Sequence, residues 1–273
     1  MEPVAHLGEA DLSRVLRQLG LAGERVCVHT SLRSFGGLES GPDAVIQAVL
    51  GACRTVLMPA FCWDSNAPPP PDDRPTQNGC DYAFYDGWSK PLLPFRVEAA
   101  GIQPSMGAVS RRFLTHPGTE RSDHAWHSWA AWGEGAGALV AGHGWETTNL
   151  PLERLTAMGG WVLLLGVDLS SCTAIHCAEE RTGQRPFIRW ATGRDGRVRR
   201  VRAAGCAKAF QQLFPSCQPL FREAVLGPCR ILAAPLPALV DQAAHVLREQ
   251  PGLGRCLSPC LRCRDAVLGG PRD

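Results

Sequence analysis

The sequence predicts an α/β fold, a central mostly parallel or mixed sheet flanked by helices, with a β-hairpin and a long loop insertion. Three observations point to it. Short apolar runs at residues 25–29, 54–61 and 161–167 are bounded by polar turns, the pattern of strands buried on both faces. Between them lie segments whose apolar residues recur at helical spacing, so strands and helices alternate. Residues 187–203 form two alternating runs on either side of Asp195-Gly196, a strong hairpin signal.

In chain order, residues 11–19 are a packing helix, with Leu12, Val15, Leu16 and Leu19 in phase and Gly20 as its stop. The valine-rich strand RVCVH at 25–29 runs into Thr30-Ser31-Leu32-Arg33-Ser34 and the pair Gly36-Gly37. Such an end can turn amides and hydroxyls toward a ligand, or be an ordinary β-to-α loop. A second helix spans 41–52, with Pro42 at its first position and Val45, Ile46, Val49 and Leu50 on its buried side. Residues 54–61, RTVLMPAF, make the next buried strand.

From 62 to 94 the periodicity is lost. Five prolines fall within residues 66–75, and Asp64, Asp72, Asp73, Asp81 and Asp86 are interspersed with Trp63, Tyr82, Tyr85 and Trp88. Long structureless loops are lids, binding loops or mobile insertions, and acids among aromatics suit a cationic, hydroxylated ligand. Helix returns at 105–116, with Met106, Val109 and Phe113 in phase. The segment RSDHAWHSWAAWG then carries His124, His127 and Ser128 among three tryptophans. Its alternation predicts an extended strand, with the two histidines on opposite faces or around a bend.

Short helices at 134–141 and 150–158 lead through Gly159-Gly160 to WVLLLGVDLSSCTAIHCAEE, residues 161–180. Here a buried strand ends in Gly166-Val167-Asp168. Ser170, Ser171 and Thr173 can cap a helix that carries His176 and Glu179 on one face. An imidazole beside a carboxylate near the carboxyl end of a sheet is a general-base arrangement, although the same spacing occurs on ordinary solvated helices. In the hairpin, Arg197, Arg199, Arg200 and Arg202 mark a solvated edge strand or a contact for a phosphorylated cofactor. Residues 206–214 read as helix, 230–236 as strand and 239–249 as a closing helix. In the tail, Cys256, Cys260 and Cys263 are spaced as zinc ligands lacking a fourth, or are three free thiols.

The 273 residues are read as one domain, residues 1–273, with the insertion at 62–94 and a cysteine-rich tail at 256–263. A net charge of +2 with scattered basic residues gives no case for nucleic acid. The first residues, MEPVAHLGEADLSRVL, hold no secretory pattern, and no apolar run is long enough to span a bilayer. The twelve cysteines are therefore expected to be reduced and the protein cytoplasmic, with no membrane partner.

Several islands resemble one family. They are His29-Thr30-Ser31-Leu32, Val56-Leu57-Met58-Pro59-Ala60-Phe61, Met106-Gly107 with Arg112-Phe113 and Pro117-Gly118, and Arg121-Ser122-Asp123-His124. Ser128, Ala130-Ala131-Trp132-Gly133 and Leu163-Leu164-Leu165-Gly166-Val167 follow, with Thr173, His176 and Glu179. In this order the chain resembles the aminoglycoside 3-N-acetyltransferases, antibiotic N-acetyltransferases distinct from the GNAT fold. It departs from the usual His-Ser-Ser at Thr30 and from the usual His-Pro at Ala125.

The resemblance implies acetyl transfer from acetyl-CoA to the 3-amino group of a 2-deoxystreptamine aminoglycoside, a resistance activity. On it, His176 is the base that deprotonates the amine, and Glu179 fixes its tautomer. His29, Thr30, Ser31 and Leu32 take the acetyl-CoA end, His29 also as a catalytic candidate, with Ser128 and His124 as wall or cofactor contacts. Asp64, Asp72, Glu180 and Glu223 are candidates for the antibiotic's ammonium groups. Direct acyl transfer requires no metal. An acylated Cys177 or Cys172 is the alternative mechanism, disfavoured because Cys177 points about a hundred degrees away from His176 on a helix. The alternative functions are an acetyltransferase for another amino sugar or small amine, and a non-catalytic, zinc-stabilised binding protein.

Overall fold

Strands buried on both faces form the centre of the molecule, as uninterrupted apolar runs require. The computed structural model describes residues 7–98, 101–257 and 259–272. Helix α1 (Glu9–Gln18) precedes β1 (Arg25–Thr30), and α2 (Pro42–Ala52) carries the chain to β2 (Thr55–Pro59). The insertion holds one helical turn, α3 (Ala83–Asp86). Then come α4 (Gly107–Leu114), β3 (Glu120–Arg121), β4 (Trp129–Gly133), α5 (Ala136–Val140) and α6 (Leu150–Ala157), which leads into β5 (Trp161–Leu165). Helix α7 (Ala174–Arg181) is followed by the hairpin β6 (Phe187–Thr192) and β7 (Val198–Ala203). The chain continues through α8 (Phe214–Cys217), β8 (Arg222–Leu226), β9 (Cys229–Pro235), α9 (Leu236–Glu249) and α10 (Leu261–Val267).

Seven strands form one mixed sheet in the order β3-β4-β2-β1-β5-β9-β8, and β6-β7 form a second. Among the described strands only β1 is parallel to both of its neighbours, with Val26 opposite Val56 on one side and Trp161 on the other. Both flanks are antiparallel. Strand-helix alternation predicted the parallel centre and could not reveal the flanks, because β9 is returned beside β5 by the tight Gly227-Pro228 turn from β8.

Side chains alternate across the sheet. Val26, Val28, Leu163 and Leu165 face α1, α2 and α4, whereas Cys27, Val162 and Leu164 face α5, α6, α7 and α9. Each fully buried leucine of β5 contributes about 1.5–3 kcal/mol, more than the roughly 1–2 kcal/mol of backbone entropy its ordering costs. The strand ends that carry the site therefore stand on a rigid support.

Three regions differ from the sequence reading, and a fourth, the hairpin, agrees with it. Residues 122–128 are not strand: His124 Nδ1 accepts the backbone N–H groups of Trp126 and His127 at 3.1 and 2.8 Å, bending the chain between the two histidines. The stretch 206–214 is helical only from Phe210, in the 3-10 turn Phe210–Leu213 that leads into α8 at Phe214. The arginine-rich strand β7 is an edge strand, in a two-stranded sheet with β6, and its arginines face acids: Arg200 pairs with Asp73, Arg199 with Asp195, Arg202 with Glu146. The insertion is docked on this hairpin. Ala67 N donates to Trp190 O, Asn78 is bonded to both the N–H and the carbonyl of Ile188, and Trp190 Nε1 donates to Asp73.

Candidate active site

Two strand ends and one helix make the site. β5 ends at Gly166, whose φ of 65° and close approach to Ser34 admit only glycine: a Cβ there would lie 1.7 Å from Ser34 Oγ. Asp168 then accepts the N–H of Ser170 at 2.9 Å and caps the short turn Leu169–Ser171. The residue that caps is thus Asp168; Thr173 occupies the N-cap position of α7 without a side-chain cap bond. Ala174, Ile175, Cys177 and Ala178 seat α7 in the core, which leaves His176 to line a cavity of about 300 Å³ with His29 and Thr30 from the end of β1.

His176 Nδ1 and Glu179 Oε2 are 2.7 Å apart. Glu179 is 2% exposed, and its other oxygen accepts Arg255 Nη1 from the tail. Arg255 Nη2 in turn donates to Gln184 Oε1 at 2.6 Å. A carboxylate accepts, so Nδ1 of His176 carries the proton and Nε2 is left as the base atom. Phe210 packs edge-on against the ring at 4.8 Å and limits its rotation.

The other cavity imidazoles are neutral at ordinary pH. Burial lowers His29 to about 4 and His127 to about 3. His127 stacks on Phe61 at 4.7 Å. Three buried polar atoms of cavity residues, Thr30 Oγ1, Trp126 Nε1 and His127 Nδ1, have no hydrogen-bond partner. Orphaned groups of this kind are costly unless a ligand meets them. Together with Nε2 of His176, the cavity presents a base and donors for charge developing on a carbonyl oxygen.

The other residues singled out from sequence lie outside the cavity lining. Ser31 and Leu32 turn away from it, Ser31 N donating to Leu165 O. Ser128 Oγ donates to Ala60 O at 2.6 Å and accepts from Arg121, and His124 is fully buried and stacks on His143 at 4.8 Å. Both build the wall behind His127. Asp64 lines a smaller neighbouring pocket, Asp72 is exposed on the insertion, and Glu223 pairs with Arg230 on the edge strand. Glu180 is directed to α6: burial first, then the charge of Glu153, raises its carboxyl to about 7. Cys172 and Cys177 are core residues outside the lining. Burial lifts the Cys172 thiol to about 12 and Cys177 well above its usual value, which removes the thiolate an acylated cysteine needs. Sequence reading missed His127, Trp63, Trp126, Arg189 and Arg262 as lining residues, and Arg255 as the partner of Glu179. Only His127, an imidazole among aromatics, carried any local signal.

Comparison with known proteins places this geometry. Residues 27–248 match the family described as aminoglycoside 3-N-acetyltransferase. The aminoglycoside N(3)-acetyltransferase VIII of Streptomyces fradiae is 36% identical over 183 residues, 62% of this chain and 59% of that relative, so the chain spans about three-fifths of its length. The fold superposes with a TM-score of 0.76 on aminoglycoside acetyltransferase AAC(3)-IVa in complex with a gentamicin, at 24% identity over 98% of this chain and all of that one. With AAC-IIIb in a binary complex with CoASH the TM-score is 0.73, at 21% identity over 90% and 98% of the two chains. The chain belongs to the aminoglycoside 3-N-acetyltransferase family.

Proposed function

We propose that this protein transfers an acetyl group from acetyl-CoA to the 3-amino group of a 2-deoxystreptamine aminoglycoside and thereby confers resistance. The observation that carries the reading is the His176–Glu179 pair, tied by Arg255, at the wall of the cavity. Acetyl-CoA supplies the activated acetyl thioester. The acceptor amine is protonated at neutral pH and nucleophilic only after losing that proton, which His176 Nε2 accepts while Glu179 offsets the imidazolium charge. Thr30 Oγ1 and the neutral His127 ring, both otherwise unpartnered, fit the thioester carbonyl as donors. His29, neutral and held 3.5 Å from Cys27 Sγ, borders that end. Residues 1–273 act as one domain in this reading, and a cytoplasmic site suits a protein that uses acetyl-CoA and carries twelve reduced cysteines.

One observation favours a second acceptor class. Among the described residues lining the cavity, Arg189 and Arg262 are charged and none is a carboxylate. A polycationic antibiotic is disfavoured by that balance, whereas an amino sugar or small amine of lower charge is not. Release of CoA from acetyl-CoA, followed with a thiol reagent, separates the two. Turnover with gentamicin and kanamycin, with the product acetylated at the 3-amino position, supports the first reading; turnover confined to simple amino sugars or amines sinks it.

A further inference from the structure

Far from one another in sequence, Cys206 and the tail residues Cys256, Cys260 and Cys263 meet beside the site, and their four sulfur atoms all lie within 4.8 Å of one another. Cys256 Sγ is 3.4 Å from Cys263 Sγ and 4.0 Å from Cys206 Sγ. None of the four is in a disulfide. Sulfurs held about 2.3 Å from a common tetrahedral centre are about 3.8 Å apart, between the 3.4 and 4.0 Å of these two pairs. We propose that these four cysteines bind a structural zinc ion, with Cys206 as the fourth ligand that the tail sequence lacks.

Packing alone does not account for the cluster. Cys256 and Cys260 are only partly buried, and the apolar side chains around them are poorly covered: Leu257 is 98% exposed and Val267 62%. A segment that buries so little apolar surface needs another cross-link to hold it in place. Asp265 supplies one, accepting Gly79 N at 2.7 Å; a closed tetrathiolate centre supplies a stronger one. The net charge of −2 on zinc with four thiolates lies in a segment that also carries Arg262, while Arg255 and Arg264 are paired with Glu179 and Asp265.

The ligands adjoin the catalytic wall at every point. Cys206 follows Gly205, which lines the cavity. Cys256 follows Arg255, which holds Glu179, and Cys260 and Cys263 bracket Arg262, which lines the cavity. The ion thus fastens the tail so that Arg255 stays on Glu179, without taking part in the transfer. Its occupancy is measured independently of any acetyltransferase activity.

The full-length protein, purified from zinc-supplemented cells and dialysed, is expected to contain about one zinc per chain. Exchange with Co²⁺ gives the intense visible bands and the thiolate-to-cobalt charge-transfer absorption of tetrahedral sulfur ligation. Cys206→Ser falls to roughly 0.2 zinc per chain after chelator treatment and loses about 10 °C in Tm. Should Cys206→Ser not fold, Cys260→His decides the matter: it retains zinc, and its cobalt spectrum shifts toward three-sulfur, one-nitrogen ligation. Cys80→Ser, outside the cluster, keeps both metal and spectrum. Metal-free protein with all four thiols titratable, iron in place of zinc, or a cobalt spectrum unchanged by Cys260→His overturns the assignment.

Discussion

Arg255 donates to one oxygen of Glu179 from a segment 76 residues downstream, so a carboxylate on α7 is held from the tail of the chain. His176 takes the other oxygen. The buried carboxylate has both oxygens engaged, which satisfies a charge that is otherwise costly to bury and fixes the orientation of the His176 ring.

Under the proposed function, replacing His176 separates chemistry from binding. His176→Gln is expected to lower kcat by about 10²–10⁴-fold while the Kd for acetyl-CoA, measured by calorimetry, stays within about 3-fold. Glu179→Gln, which retains a hydrogen-bond acceptor without charge, loses less. Near-normal turnover of His176→Gln removes this residue from the base role.

Under the proposed function, Arg255 acts through Glu179 as a positioning residue. Arg255→Met is expected to reduce kcat by roughly 10–100-fold with little change in the KM for acetyl-CoA, and to destabilise the fold by about 3 kcal/mol, because Glu179 is left buried with one partner fewer. Arg255→Lys restores part of kcat. A variant that loses stability yet keeps its kcat assigns Arg255 to structure only.

Acid lability follows from the buried imidazoles. His29 and His143 are held down to about 4 and His127 to about 3, in each case chiefly by burial. Below the unfolded value near 6.5 the unfolded chain binds protons that the folded one refuses, so stability present above that pH is lost as the pH falls toward the folded values. Each histidine costs on the order of 2 kcal/mol at pH 5. Urea unfolding at pH 7 and pH 5 measures the sum, and a midpoint unchanged between them contradicts it.

Glu180 has the opposite sign. Its carboxyl is raised to about 7 by burial and by Glu153, so the folded state holds its proton more tightly than the unfolded one. Stability from that proton is present below the unfolded value and is lost as the pH rises through about 7. Glu180→Gln is expected to match the wild type at pH 5 and to exceed it at pH 8 by on the order of 1 kcal/mol after solvent screening. Thermal melts at the two pH values test this, and a gain that does not grow with pH removes the linkage.

Local pattern made much of the fold legible. The apolar runs of β1, β2 and β5 declare strands buried on both faces, Asp195-Gly196 declares the hairpin, and the spacing of His176 and Glu179 places an imidazole and a carboxylate one turn apart whatever the helix packs against. The bend at His124 was one of two alternatives the sequence left open, whereas the antiparallel flanks and the docking of the insertion on β6 and β7 were not legible, because pairing direction and loop contacts are decided by partners distant in sequence. The same holds for the acids. Asp64, Asp72, Glu180 and Glu223 look alike as isolated carboxylates, and only the packing shows that none of them lines the cavity.

The contrast is sharpest at the tail. Sequence by itself determined the fold class, the family resemblance and the His176–Glu179 spacing, since each depends on residues close together along the chain. Tertiary structure decided that Arg255 reaches Glu179, that His127 rather than His124 faces the cavity, and that Cys206 joins Cys256, Cys260 and Cys263. Those contacts close loops of tens of residues. Their geometry is set by the packed core that brings the ends together, and no local spacing records it.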